Sequence, residues 1–266
     1  MKVVATTAEL QSLAAAVGGE MVSVTHLIPA GQDAESFQPR PQDLARVREA
    51  RAVVRVGVDY DLWLDPLLRE ARHVHVIDAS TDVALLDVRA GGVGPGDGHA
   101  HGRGNPHYWL DPVNAEMITA TILEAFAKLD PPNSPRYDAN RRAFLAQLDA
   151  KLARWSRALA KAPPLIAYHD TWPYFARRFR LRFVGIIEPR PGILASPAHL
   201  GALIDAARAA KVGFVVREPH EPRRDADFIA AKAGAKVAIL ASSVGAVPGA
   251  TDYLSLIDYN VRQLAP

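Results

Sequence analysis

The strongest constraint on this chain is one rhythm that occurs twice, once in each half, with a long amphipathic stretch between. Short apolar runs alternate with amphipathic segments from the first residue onward, which is the pattern of βαβ units and parallel sheets. In the first half the strand segments are 3–6, 21–27, 52–56 and 73–77, with helices near 7–17, 42–50, 60–71 and 112–129. In the second half the strands are 165–168, 183–187, 213–216 and 236–240, with helices near 170–179, 197–210, 222–233 and 251–264. Between the halves, Tyr137, Phe144, Leu145, Leu148, Leu152, Trp155 and Leu159 follow one helical face. Ser134-Pro135 is a start signal and Pro163-Pro164 a stop, which gives one helix about 40 Å long at 1.5 Å per residue. The expected fold class is α/β: two lobes, each with a roughly four-stranded parallel sheet and flanking helices, bridged by one long α-helix. The corresponding division is 1–133, 134–162 and 163–266, and a single rigid bridge predicts little hinge opening.

Composition then narrows the function classes. The chain is 49% hydrophobic and 23% charged, enough apolar material for a core and too little charge for wholesale disorder. Lys and Arg number 31 against 29 Asp and Glu, without a clustered basic stripe, so no nucleic acid is expected as a partner. With no cysteine, thiolate metal sites, disulfides and cysteine nucleophiles are excluded. No run of about 18 apolar residues occurs, and the first residues lack a signal-peptide h-region, so the chain reads as soluble.

Three segments place a ligand-type side chain after a strand and before a helix, where open α/β sheets bind their ligands. They carry Glu35 in the polar loop 28–41, His107 in Asn105-Pro106-His107-Tyr108-Trp109-Leu110-Asp111-Pro112, and His169 in Tyr168-His169-Asp170-Thr171-Trp172. Asp111 and Asp170 are expected to cap the helices that follow. One carboxylate and two imidazoles drawn from separate loops suit a divalent metal such as zinc. The glycine-rich run 91–104 adds His99 and His101, which could touch an ion loosely from a mobile loop. His26, His73, His75 and His199 read as structural, and Trp63, Trp109 and Trp172 as packing residues. No HExxH, GxSxG, P-loop or strand-linked GxGxxG is present.

The segments NPHYWLDP and YHDTWPYF, with VVREPHEPRRDADFIAAKAGAKV and DYLSLIDYNVRQL, resemble the zinc/manganese-binding solute receptors of bacterial ABC importers, and the likeness covers nearly the whole chain. The resemblance implies one divalent ion in the cleft between the lobes, no catalysis, a monomer, and delivery to an ABC-type membrane permease from the periplasm or from a lipid tether at the cell surface. It puts His107 and His169 at the second and third ligand positions, and a histidine at the third position favours Zn²⁺ over Mn²⁺ or Fe²⁺. Two positions depart from the family pattern. Glu35 stands in the slot of the first ligand, usually a histidine, and Ala241-Ser242 replace the acid that supplies the fourth after the last strand. His220 is the candidate substitute for that fourth ligand, and an acid restored at Ala241 is expected to strengthen binding if that turn faces the cleft. A periplasmic zinc metallochaperone is an alternative on the same fold. A zinc hydrolase is a further one, needing a general base such as Glu218, His220, Glu188 or Asp252.

Overall fold

A computed structural model describes residues 1–32, 37–86, 104–188 and 193–265. The first lobe contains β1 (Lys2–Ala5), α1 (Ala8–Gly18), β2 (Ser23–His26), α2 (Pro41–Glu49), β3 (Ala52–Arg55), α3 (Asp65–Arg69), β4 (His75–Asp78) and α4 (Asn114–Leu129). The long bridge is α5 (Ser134–Leu159). The second lobe contains β5 (Leu165–Ala167), α6 (Pro173–Phe179), β6 (Phe183–Ile186), α7 (Pro197–Ala210), β7 (Phe214–Arg217), α8 (Arg223–Ala233), β8 (Lys236–Ile239) and α9 (Tyr253–Leu264). Both sheets are wholly parallel and share one order, β2-β1-β3-β4 and β6-β5-β7-β8. The chain therefore reverses its direction of travel between β1 and β3, and again between β5 and β7. Each reversal leaves a crevice at the carboxyl ends of those two strands.

Strand alternation sorts the apolar residues onto two faces. In β1, Val3 and Ala5 face a central core while Val4 faces an outer one closed by α2 and α3; in β5, Leu165 and Ala167 face the centre and Ile166 the outer layer under α7 and α8. The central core is continuous through both lobes, running from Leu10 and Leu13 of α1 through Phe144, Leu148 and Trp155 of α5 to Tyr253, Ile257 and Leu264 of α9. Helix α5 packs on α1, α4 and α9, and Tyr253 N donates to Ser12 Oγ of α1 at 2.9 Å, so the last helix crosses back onto the first lobe. Trp155 Nε1 donates to Asp258 Oδ1 at 2.6 Å, and Lys151 forms an ion pair with the same carboxylate.

The expected helix at 60–71 is shorter than its apolar pattern suggested: a 3-10 turn at Leu62–Leu64 leads into the five-residue α3. Asp61 governs that segment from a fully buried position. Its carboxylate accepts the backbone N–H groups of Val56 at 2.6 Å and Gly57 at 3.1 Å, and Arg55 Nε at 3.1 Å, which bends the chain back after β3. Gly57 takes φ +74°, and a Cβ there would run into the Asp78 carboxylate, so any larger residue would strain this turn and displace that side chain. Helix α4 starts at Asn114, after a 3-10 turn at Tyr108–Leu110.

Candidate metal centre

His107 stands just before the 3-10 turn Tyr108–Leu110, and His169 two residues beyond the end of β5. Their rings meet edge to face with centroids 6.1 Å apart, although they come from different lobes. An ion about 2.0–2.1 Å from one nitrogen of each ring can bridge such a pair. Both rings are pinned on the opposite side. His107 Nδ1 lies 3.1 Å from Asn105 Oδ1, and because Asn105 Nδ2 donates to the carbonyl of Asp170 at 2.8 Å, the oxygen is the atom facing the imidazole. His169 Nδ1 lies 2.9 Å from Glu188 Oε2. An oxygen acceptor at Nδ1 fixes the tautomer that carries its lone pair on Nε2, and this is the usual outer shell of a metal-binding histidine. Aromatic rings wall the first-lobe side, with Tyr60 at 5.8 Å and Trp109 at 5.4 Å from His107.

The lobes are fastened around this pair by polar contacts. Trp109 Nε1 donates to the carbonyl of Ser242 at 2.8 Å, and Tyr253 Oη to the carbonyl of Trp109 at 2.6 Å. Tyr174 Oη donates to the carbonyl of Asn105 at 2.9 Å. Asp111, fully buried, receives Arg178 at 2.6 and 3.0 Å from α6. It also accepts Val113 N at 3.0 Å, so the carboxylate expected to cap α4 chiefly ties the two lobes together. Asp170 was expected to cap α6, but that helix begins only at Pro173 and Trp172 occupies its N-cap position.

Acidic side chains gather on the second-lobe side. Glu218 follows β7, is 5% exposed, and accepts Thr171 Oγ1 at 2.9 Å through Oε1; its Oε2 accepts Ser242 N at 3.3 Å and the Ser242 hydroxyl. Glu221 Oε2 accepts Glu218 N at 2.5 Å. Burial, and then the neighbouring Glu218 charge, push the Glu221 carboxyl well above the usual carboxylate range. Glu9, in the first turn of α1, accepts the Ser243 hydroxyl at 3.0 Å across the lobe boundary, and burial raises its pKa from 4.5 to about 7.

The residues singled out from the sequence therefore separate into three groups. His107 and His169 come together. His220 is exposed, with ligand atoms within 4.8 Å of those of Glu218 and Glu221. Glu35, and His99 and His101 of the glycine-rich run, lie outside the described residues. The turn after β8 answers the condition attached to Ala241: its side chain is buried with Ala8, Val244, Ala250 and Leu256, and Asn260 bonds its backbone at both N and O. An acid at 241 would enter an apolar cluster, and it is Ser242 that reaches the acidic side of the cleft. The structural reading of the remaining histidines agrees with His26 Nδ1 against Gln11 Oε1 at 2.6 Å and His199 Nε2 against the carbonyl of Ile186 at 2.9 Å. His73, expected on β4, precedes that strand and meets the carbonyl of Arg48 at 2.9 Å. The sequence offered Glu218 as a candidate general base of a hydrolase; its place directly after β7 was the available signal for a buried acid beside the cleft.

Two similar α/β lobes, a stiff helical bridge and a pinned histidine pair between them define a cleft-type receptor for a metal ion. The profile of the family described as ZnuA, zinc-uptake complex component A periplasmic, matches residues 3–266, and the chain belongs to this family of metal-binding solute-binding proteins of ABC importers. Its members are substrate-binding proteins of metal transport, not catalysts. The iron-binding protein YfeA of Yersinia pestis is 25% identical over 99% of this chain and 85% of its own length. The manganese-binding lipoprotein MntA of Halalkalibacterium halodurans is 23% identical over 98% of this chain and 86% of its own. The crystal structure of ZnuA superposes with a TM-score of 0.86 at 28% identity, covering 100% of this chain and 98% of that one.

Proposed function

We propose that this receptor captures Zn²⁺ between His107 and His169, with Glu35 as a further ligand, and delivers it as a monomer to an ABC permease. His99 and His101 act as a loose outer relay for the ion. The single observation that carries the reading is the double pinning of the histidines: an oxygen acceptor at each Nδ1, in two different lobes, turns both imidazoles into Nε2 ligands of one cleft. Work in the periplasm or on a lipid tether suits the family. Among the described residues no helix is long and apolar enough to cross a membrane.

Mn²⁺ or Fe²⁺ is the second reading, favoured by the oxygen donors beside the imidazoles, since carboxylates harden a site. Glu188 on His169 and the buried Glu218 and Glu221 are the observations behind it. Competition of zinc against a chromogenic chelator, for wild type, His107→Ala and His169→Ala, tests the site. The losses should exceed the roughly 10–100-fold that removal of an outer-shell partner costs, and wild-type affinity in both variants would refute it. Repeating the titration with manganese and with iron(II) under reducing conditions ranks the metals.

A further inference from the structure

We propose that the base of the second lobe, the face opposite the cleft, docks on an anionic phospholipid surface. The inference goes beyond the metal reading and does not depend on it.

Because every strand of a parallel sheet runs the same way, the amino ends of β5, β6, β7 and β8 form one edge, opposite the carboxyl ends beyond which His169 stands. The segments entering that edge are joined side by side. Leu165 N donates to the carbonyl of Arg182, Gly213 N to that of Pro164, and Lys236 N to that of Gly213, each at 2.9 Å. Every one of the four entries carries an exposed base: Lys161 before β5, Arg180 and Arg182 before β6, Lys211 before β7, and Lys232 and Lys236 at the start of β8. No Asp or Glu occurs in residues 160–164, 180–182, 206–213 or 230–236. Among the described residues none of these six bases forms an ion pair. They are scattered in ones and twos along the sequence, which therefore shows no basic stripe, and the fold collects them.

The fold itself does not demand this charge. Bases in the last turn of a helix offset its dipole, but α6, α7 and α8 already have Arg177, Arg178, Arg208 and Lys232 there, so the bases beyond the helices are additional. Arg180 and Lys211 both take φ +54°, in the left-handed region that favours glycine, and after α8 the same position is held by Gly234 at φ +71°. Two bases are thus kept against the preference of the backbone. The first lobe, on the same strand order, balances its charge at this end: Lys2 pairs with Glu49 at 3.0 Å, Arg48 with Glu70 at 3.1 Å and Lys128 with Glu124 at 2.6 Å. In a chain of net charge +2, the unpaired bases make the second-lobe edge the side that an anionic surface attracts, over a Debye length of about 8–10 Å. Phe228, 45% exposed with Lys232 Nζ 5.9 Å from its ring centre, adds an aromatic side chain at the margin, a residue type that settles at the level of lipid headgroups. Docked through its base, the receptor stays at the membrane with its cleft turned to solution, and contacts of this weak, salt-sensitive kind let it turn to a permease.

Co-sedimentation of the metal-free protein with phosphatidylcholine vesicles, with and without phosphatidylglycerol, tests the proposal at about 0.02 M and about 0.5 M salt, between which the Debye length falls from about 20 Å to about 4 Å. Wild type should bind the phosphatidylglycerol vesicles at low salt, bind pure phosphatidylcholine about tenfold or more weakly, and be released at high salt. The triple variant Lys161→Glu, Arg182→Glu, Lys236→Glu should lose about tenfold or more in vesicle affinity. A matched change of charge on the first lobe, Lys2→Glu, Arg48→Glu, Lys128→Glu, should cost less than about threefold. Absence of binding to phosphatidylglycerol at low salt would overturn the proposal and leave the base to an acidic protein surface. Equal losses in the two triple variants would overturn it as well, since net charge and not this face would then drive binding. Should the glutamates prevent cooperative folding, Lys161→Gln, Arg182→Gln, Lys236→Gln takes their place with a loss of about threefold or more expected, and wild-type binding counts against the base. No metal enters these measurements, so failure of the His107–His169 reading leaves their outcome untouched.

Discussion

Replacing Glu9 by Gln should make the protein more stable in a strongly pH-dependent way. Glu9 is 2% exposed, and desolvation raises its carboxyl from 4.5 to about 7 in the folded state, although hydrogen bonds from its own backbone, Thr7 and Ser243 oppose the rise. An acid whose folded pKa lies above its unfolded value binds its proton more tightly when folded. Its contribution to stability is fully present below pH 4.5 and is lost as the pH climbs through about 7. Between those limits the loss is on the order of 3 kcal/mol. Since the side chain is buried, solvent screening does little to reduce this. Gln removes the titration while retaining an acceptor for the Ser243 hydroxyl. Urea unfolding of metal-free protein should therefore give nearly equal stabilities for the two proteins at pH 4.5, with Glu9→Gln ahead by about 3 kcal/mol at pH 8, or about 5 °C in Tm for a chain of this length. Equal differences at both pH values would refute the reasoning, because a packing effect does not follow the carboxyl's protonation.

Two further substitutions probe the lobe boundary and the last turn. Asp111→Asn leaves the Arg178 guanidinium facing a neutral amide; as Arg178 is about a third exposed, the cost should be about 2 kcal/mol, below the full loss for a buried pair. Urea unfolding measures it, and a change under about 0.5 kcal/mol would show that the bidentate contact does not hold in solution. Ala241→Asp should lower stability by about 3 kcal/mol, since it puts an unpaired carboxylate among Ala8, Val244 and Leu256. It should also give no gain in zinc affinity, and tighter binding would mean that this turn swings into the cleft.

The fold was legible because its signals are local. The short apolar runs at 3–6 and 165–168, and the three- and four-residue spacing from Tyr137 to Leu159, each depend on neighbours in the chain, and the two sheets and the bridge follow from them. The place of His169 was legible for a topological reason, since it follows β5 by two residues and strand ends mark where ligands bind, whereas His107 lies far beyond β4, which ends at Asp78, and its place beside His169 was implied by the family likeness of NPHYWLDP. Three features were not legible. The 60–71 segment carries a helical pattern, but Asp61 captures the N–H groups of Val56 and Gly57 and shortens the helix. Nothing in the sequence around Glu9 signals its burial, because Ser243, whose hydroxyl it accepts, comes from the other lobe and lies far away in the chain. Ala241 looked like a ligand position left empty, but contacts with residues from both ends of the chain make it part of a packed cluster.

Since a single apolar core passes unbroken from α1 through α5 to α9, the two sides of the cleft can part only by baring Leu148, Trp155 and their neighbours to water. Each such side chain is worth about 1.5–3 kcal/mol, and exposing several would consume much of the 5–15 kcal/mol that keeps a domain folded. Ion exchange is then a property of the rim, where the loops after the strands can rearrange while the core stays shut. A membrane partner that empties such a receptor would act on those loop ends and not swing one lobe against the other. Residence of the ion is in this sense decided at the rim: a conservative substitution deep in α5, touching no ligand, should leave unchanged how long the ion stays.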